Sequence, residues 1–268
     1  MAEDKTPEPA PILAGKDRGA PSVFQPENLL REARRQKGLT SGRIPEICAL
    51  DPDGDILRSL QQAGRATRSA VWACYHTDLY EFEQGGIGFG MIGCAVGASF
   101  AVLLAEELFA SGCRFLVSIT SAGQILPQGP TPYFVVIDQA LRDEGTSYHY
   151  LPPAEYAAAD TALVATAMRG LLELPMRVYQ GAAWTTDAPF RETESAIERA
   201  RARNILAVEM EAAALYAFAE ARRRPVLCLA HVTNQMAVID GDFEKGEADG
   251  ASASLQVLEA IARAWKAA

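Results

Sequence analysis

Short apolar runs alternate along this chain with stretches in which apolar side chains recur every three or four positions, and the two patterns predict strands and helices respectively. The strand-like runs are Glu46 to Leu50, Ala70 to Tyr75, Ile87 to Val96, Arg114 to Ile119, Pro132 to Asp138, Met176 to Ala183, Leu206 to Val208 and Val226 to Val232. Helical periodicity occupies Ala98 to Ala110, Asp160 to Leu172, Thr193 to Arg203, Glu211 to Arg222 and Ser252 to Lys266, with a short polar helix over Asn28 to Lys37 leading in. Alternation of this kind predicts an α/β fold of three αβα layers around a mixed central sheet. Ligands of such sheets sit at the carboxyl ends of strands, so the residues just after each strand are the ones to interrogate.

Residues 1–27 stand apart from that pattern. They carry five prolines and few large apolar side chains, which predicts a flexible N-terminal arm. No later shift in composition marks a second domain, so residues 28–268 read as one. Of the 268 residues 49% are hydrophobic and 22% charged, the profile of a globular protein with a substantial core.

The formal charge of −9 leaves no basic field to attract nucleic acid or an anionic membrane, so an anionic substrate needs a local cationic site. Cys48, Cys74, Cys94, Cys113 and Cys228 are scattered among mostly apolar neighbours without zinc-like spacing, which predicts reduced, buried thiols and no metal. The acidic, proline-rich N-terminus has no secretion signal, and no apolar run reaches the roughly 18 to 20 residues that span a bilayer. A cytoplasmic location follows as the expectation.

Gly88-Phe89-Gly90-Met91-Ile92-Gly93 matches the dinucleotide fingerprint GxGxxG. That motif works only where a helix begins within it and meets the pyrophosphate. Here the glycines lie inside an apolar run and helical periodicity starts near Ala98, so glycines in a bent or closely approached strand are the preferred reading.

Glu209 and Glu211 flank Met210 at a strand-to-helix junction. In extended chain, i and i+2 point to one side, so both carboxylates could accept from the vicinal hydroxyls of one sugar. The alternative is that Glu211 complements the positive end of the following helix and Glu209 is solvated.

The segment Val208-Glu209-Met210-Glu211-Ala212-Ala213-Ala214 resembles the signature of the nucleoside phosphorylase-I family. The resemblance extends over about residues 44 to 265 and implies a nucleoside phosphorylase/hydrolase-like fold and cleavage of an N-glycosidic bond. It implies that Met210 and Glu211 hold the ribose, with Glu209 assisting. Asp53-Gly54-Asp55-Ile56-Leu57-Arg58 resembles the family's phosphate loop, which implies phosphate-binding roles for Gly54, Asp55 and Arg58; an Asp-Gly turn with a surface arginine is the alternative. Ser118-Ile119-Thr120-Ser121-Ala122-Gly123 is similar to a loop that touches phosphate and sugar, with Ser121 as the matching hydroxyl and Ala122 and Gly123 near the base. Trp184-Thr185-Thr186-Asp187-Ala188-Pro189-Phe190-Arg191 resembles the base-binding segment, which implies stacking by Phe190 and Trp184 and polar contacts from Thr186, Asp187 and Arg191. Arg142 to Tyr150, containing His149, resembles a segment at the site or subunit contact.

Two departures bear on mechanism. Ser118 stands where the family's phosphorylases place a second phosphate-binding arginine, and Ser121-Ala122-Gly123 is similar to its nucleosidases. Asn234 stands where purine-specific members place a proton-donating aspartate, which turns the expectation toward a pyrimidine, uridine-like nucleoside. The implied chemistry passes through an oxocarbenium-like sugar. Glu211, Arg58 and Asn234 are its candidate catalytic residues, inorganic phosphate is the co-substrate, and no metal or organic cofactor is called for. Hydrolysis by water and non-catalytic nucleoside binding stay open beside phosphorolysis. The resemblance also implies a homodimer or homohexamer with shared sites, in which Arg65, Arg68 or His76 could supply the missing cation in trans.

Overall fold

The computed structural model describes residues 10–236, 242–243 and 245–268. Its strands are β1 (Ile47–Asp51), β2 (Thr67–Arg68), β3 (Tyr80–Gln84), β4 (Ile87–Gly93), β5 (Phe115–Gln124), β6 (Tyr133–Asp143), β7 (Tyr156–Ala158), β8 (Val178–Thr186), β9 (Ile205–Glu209) and β10 (Val226–Asn234). The helices are α1 (Pro26–Lys37), α2 (Asp55–Gln62), α3 (Ala98–Ala110), α4 (Ser147–Tyr150), α5 (Thr161–Leu171), α6 (Glu194–Ala202), α7 (Ala212–Arg222) and α8 (Ala251–Ala267). They form the expected mixed sheet with helices packed against it.

Every residue of β1, β9 and β10 is buried, as near-continuous apolar strands require when both faces are covered. β1 runs parallel to β4 on one side and β5 on the other, and β3 and β2 extend the sheet by antiparallel pairing. Gly85 and Gly86, both at positive φ, make the two-residue turn between β3 and β4. Beyond β5 the sheet curls. β5 pairs with β10 along most of its length and with β9 at Gly123 and Gln124, and the pairings β9–β8, β8–β6 and β6–β10 close a ring of five strands. Register breaks in three of these pairings, between Ile137 and Gln139, Ala182 and Ala183, and Val232 and Asn234, supply the added twist that such closure needs.

Helix α7 is buried from Ala212 to Phe218, and its three leading alanines let it lie close against β6, β8 and β10. Tyr216 keeps this interior satisfied: its hydroxyl donates to the Ile137 carbonyl and accepts from the Cys228 amide at 3.0 Å. Among the described residues, no helix is long and apolar enough to cross a membrane.

Several sequence expectations are corrected here. Ala70 to Tyr75 is a loop, not a strand: its middle, Trp72 to Cys74, is buried while Ala70 and Tyr75 are exposed, and the bonds of Trp72 and Cys74 go to Thr77 and His76 instead of a neighbouring strand. The strand β3 and the helix α2 lie outside the predicted elements, because one is short and polar and the other spans only eight residues after an Asp-Gly turn. The stretch from Ser118 to Gly123 continues β5, since β10 pairs with it as far as Gly123. Likewise β8 runs on through Trp184, Thr185 and Thr186. The glycines of Gly88 to Gly93 do lie within β4, and α3 begins only at Ala98. Four cysteines are buried, but Cys94 is exposed.

The first nine residues of the expected arm lie outside the described residues. Residues 10–25 form no helix or strand. They are tied to the domain where Arg18 donates to the Tyr148 carbonyl at 3.0 Å and the Lys16 ammonium bonds His149 Nδ1 at 3.1 Å.

Candidate functional site

The chain turns at Met210 and Glu211 as β9 gives way to α7, and this turn separates the two glutamates. Glu209 points inward. Its Oε2 accepts from the amides of Glu211 and Ala212, each at 2.7 Å, and its Oε1 accepts from the Thr185 hydroxyl. Thr185 Oγ in turn accepts from the Ala213 amide at 2.9 Å. Together they satisfy the amides that open α7, where no preceding turn offers carbonyls. Both oxygens of Glu209 are thereby engaged, so the expectation that the two carboxylates share one ligand is not met.

Glu211 leaves the extended conformation, at φ −129° and ψ −38°, and reaches the backbone of Gly97 instead. Its Oε1 accepts from the Gly97 amide at 2.6 Å. Although the residue is only 1% exposed, its Oε2 has no partner in hydrogen-bonding geometry among the described residues, and the Thr120 hydroxyl is close enough only to lower the carboxyl slightly. Such a group demands a partner. Burial, and then the charge of Glu209, push its carboxyl well above the ordinary range. Burial likewise raises Glu209. Met210, half-buried, lies between them.

A second cluster forms at the carboxyl ends of β1, β5 and β10. Asp51 is buried and accepts from the amides of Gly54 at 3.1 Å and Leu57 at 2.9 Å, fixing the turn into α2. Burial pushes its carboxyl up to about 7. Gly54 sits at φ +78°, where a Cβ would come within 2.6 Å of Cys94 Sγ and 2.7 Å of Arg58 Nη1, so only glycine fits. Arg58, half-exposed, pairs with Asp55 Oδ1 and donates to the Asp53 carbonyl at 2.9 Å. Asp53 reaches across to β5, where its carboxylate accepts from the Ser121 amide at 2.7 Å and the Ser121 hydroxyl at 3.4 Å.

Lys245, arriving between β10 and α8, completes this cluster. Its ammonium bonds Asp55 Oδ2 at 2.5 Å and lies 3.9 Å from Asp53 Oδ1. Burial alone would raise Asp55, but the hydrogen bonds from Lys245 and Arg58 outweigh it and hold the carboxyl below its ordinary value. His231 lines the same small cavity as Asp51, Ser121 and Lys245. It stacks on Phe134 with ring centroids 4.3 Å apart, and burial, aided by Lys245, lowers it to about 4. Ser118 sits deeper in β5, opposite Leu50 and Cys228, with its hydroxyl unpartnered among the described residues. No group of three or more His, Cys, Asp or Glu side chains among the described residues is arranged to hold a metal ion.

The side assigned to the base is less complete. Asn234 is buried beside β5: its Nδ2 donates to the Ala122 carbonyl at 3.3 Å and its Oδ1 accepts from the Met236 amide at 3.0 Å. Gly123 leaves room for the Met236 thioether, which would lie 2.3 Å from a Cβ there. Thr186 is buried and accepts from the Ala188 amide at 3.2 Å, while Asp187 accepts from the Gly145 amide at 2.9 Å. Trp184 turns into the protein. It is 5% exposed, packs with Ile125, Ala200 and Ile205, and donates to Asp143 Oδ2 at 3.0 Å. Phe190 is 99% exposed in a short 3-10 turn with the exposed Arg191, so within one chain neither closes over the site. The bonds described for Arg65 and Arg68 run to Gln84 and Asp78 at the sheet edge, and His76 is exposed.

Sequence reasoning singled out Glu211, Arg58, Gly54, Ser121 and Asn234, and the structure brings them to neighbouring strand ends. It missed Gly97, Thr185, Asp53 and Lys245. A glycine just ahead of α3 and the spacing of Asp51, Asp53 and Asp55 were signals in plain view, whereas nothing local marked Lys245.

The family model described as the phosphorylase superfamily matches residues 31–263. A guanosine phosphorylase of Halorubrum lacusprofundi is 26% identical over 220 residues, which is 81% of this chain and 82% of that protein. An uncharacterised protein of Acanthamoeba polyphaga mimivirus is 30% identical over 139 residues, 52% of this chain and 53% of its own length, so that alignment spans about half of the relative. Among solved structures, uridine phosphorylase from Vibrio fischeri superposes with a TM-score of 0.70 at 19% identity, covering 82% of this chain and 93% of that one. The same enzyme complexed with 6-hydroxy-1-naphthoic acid gives 0.69 at 17% identity, over 86% and 96%. With the match across residues 31–263 and the strand-end cluster that it contains, the chain belongs to the phosphorylase superfamily.

Proposed function

We propose that this protein is a nucleoside phosphorylase that cleaves the N-glycosidic bond of a pyrimidine, uridine-like nucleoside to free base and ribose 1-phosphate. The observation that carries this reading is Glu211: a carboxylate 1% exposed, anchored through one oxygen to Gly97, its other oxygen unpartnered among the described residues beside Met210. A ribose diol supplies the missing donors. Arg58 and Ser121 face that grip from the ends of β1 and β5 and hold inorganic phosphate beneath C1′. A phosphate oxygen bonds to C1′ as the C1′–N bond breaks, and the electron pair of that bond leaves with the base. The Asn234 amide hydrogen-bonds the leaving base, and its inability to donate a proton as an acid favours a pyrimidine. The guanosine phosphorylase relative keeps purines on the substrate panel. Phosphate is the co-substrate, and no organic cofactor or metal enters the scheme. The exposure of Phe190 and Arg191 fits a homodimer or homohexamer in which a neighbouring subunit meets the base side of each site.

One observation favours hydrolysis as the second reading: Asp53 holds the Ser121 amide at 2.7 Å, so a carboxylate stands where phosphate would bind. Incubating the protein with a nucleoside panel, with and without phosphate, and resolving the sugar product separates the two. Phosphate-dependent release of ribose 1-phosphate is expected. Free ribose formed at a rate indifferent to phosphate would establish hydrolysis, and binding without turnover would leave a nucleoside-binding protein.

A further inference from the structure

A dianion drawn out of water needs charge-assisted donors on more than one side. The β1–α2 turn supplies one cation, Arg58, and Ser118 supplies none because it is a neutral side chain in the middle of β5. His231 is adjacent but stacked on Phe134 and held neutral. Lys245 is the remaining cation at the strand-end cluster among the described residues. Its side chain is 18% exposed, and it bonds Asp55 from the oxygen opposite the one that Arg58 takes. Asp55 thus acts as a crossbar between the two cations.

The oxygen that identifies the binding point is Asp53 Oδ1, which lies 3.4 Å from Ser121 Oγ and 3.9 Å from Lys245 Nζ while its partner Oδ2 sits on the Ser121 amide. An amide, a hydroxyl and an ammonium already surround an oxyanion there, and that oxyanion belongs to the protein. The position of Lys245 is built in from behind as well. A Cβ on Gly250, which sits at φ +82°, would come within 2.9 Å of the Lys245 carbonyl oxygen and 2.5 Å of His231 Cε1, so this glycine lets the segment close against β10.

We propose that Lys245 is the second cation of the oxyanion site, and that inorganic phosphate binds by displacing the Asp53 carboxylate from Ser121 and Lys245. The inference rests on the phosphorolytic reading. It places the cation within the same chain, 190 residues from its partner Asp55, instead of on a neighbouring subunit. When phosphate enters, Asp53 swings to solvent, Lys245 keeps one bond to Asp55, and the ammonium gains a phosphate oxygen.

The test is Lys245→Met and Lys245→Arg in the full chain, reading the KM for phosphate, the KM for nucleoside and the melting temperature, together with calorimetric titration of inorganic phosphate alone. Lys245→Met is expected to raise the phosphate KM about ten- to hundredfold, the loss of one hydrogen bond to a charged group, with the nucleoside KM unmoved. Lys245→Arg, which keeps the charge, is expected to recover most of it. A lysine that merely neutralises the aspartates would change the melting temperature and leave the phosphate KM within twofold of wild type, and that result overturns the proposal while phosphorolysis stands. If the wild type proves indifferent to phosphate in turnover, the phosphorolytic reading falls separately. Titration then decides Lys245: phosphate binding weakened by Lys245→Met supports the site, and equal or absent binding overturns it.

Discussion

The two halves of the candidate site are built on opposite plans. At the ribose half, Glu209, Thr185 and the Gly97 amide tie the chain around Glu211 to backbone groups, the side chains of Glu209, Glu211 and Thr185 are buried, and one carboxylate oxygen is left open among the described residues. At the oxyanion half, Asp53, Asp55, Arg58 and Lys245 are partly exposed, carry formal charges that cancel, and satisfy one another through ion pairs. The first half is preorganised and incomplete without ligand; the second is complete and must open to receive one. Preorganised donors and acceptors cost nothing to rearrange at the moment of reaction, whereas on the phosphorolytic reading the second half sets the energetic cost of admitting phosphate.

The ribose half can be broken most directly at Glu211. On the proposed reading, Glu211→Ala removes the acceptor of two ribose hydroxyls and is expected to lower kcat/KM for nucleoside by about three orders of magnitude, as losing two hydrogen bonds to a charged group implies. Thermal melting should show a folded protein, since the change removes a buried carboxylate and frees only the Gly97 amide. Activity within tenfold of wild type would show that the ribose is held elsewhere. Glu209→Ala separates the neighbouring carboxylate from this role. Three donors lose their acceptor, which predicts a loss of about 2–4 kcal/mol in stability by urea titration; a variant of wild-type stability that has lost only nucleoside affinity would make Glu209 a ligand after all.

The contrast between the halves also explains what was legible in the sequence. The segment assigned to the ribose lies within seven contiguous residues, so its local pattern singled it out, and only the direction of Glu209 went astray, because an extended segment was assumed where the chain turns. The burial of Trp184 and the exposure of Phe190 depend on which face of β8 meets α6, which no alternation within Trp184 to Arg191 specifies. The sheet was legible in type but not in closure, since the ring depends on β5 pairing with β9 and β10 and on bulges that leave no local mark. Lys245 was illegible for the same reason. Its partners lie almost the length of the domain away, and its neighbours in sequence have no regular periodicity.

Titration offers a second way to sharpen the comparison. Glu211 is held well above its ordinary range by burial and by Glu209, so at neutral pH it is more protonated than a free glutamate. Ribose hydroxyls donate more strongly to the ionised form, whose two oxygens both accept and carry the charge. A raised acid pKa means that the cost of ionising the group in the folded protein appears as pH rises above the unfolded value, and a bound diol relieves that cost. Nucleoside affinity should therefore rise with pH through the neutral range, by about tenfold over two units where protonation limits binding, and calorimetry in buffers of different ionisation enthalpy should show a proton released. Affinity flat with pH, and no proton released, would place the ionised carboxylate in the free protein.

The smallest expected effect is the one that divides the two plans most finely. Asp53→Asn keeps the side chain's size and leaves an amide oxygen to accept from Ser121, but removes the charge that competes for Lys245 and for the Ser121 amide. If the oxyanion half is closed by its own carboxylate, the neutral side chain yields to phosphate more readily, and the phosphate KM should fall by about three- to tenfold, the scale of one partly exposed charge interaction of ~1 kcal/mol. The nucleoside KM should change less and only downward: the ribose half contains no hydrogen bond to Asp53 among the described residues, but the Asp53 charge helps to raise Glu211, so its removal eases ionisation there. A phosphate KM that rises instead would show Asp53 to be a scaffold that positions Ser121, and the oxyanion half would then be preorganised like its neighbour.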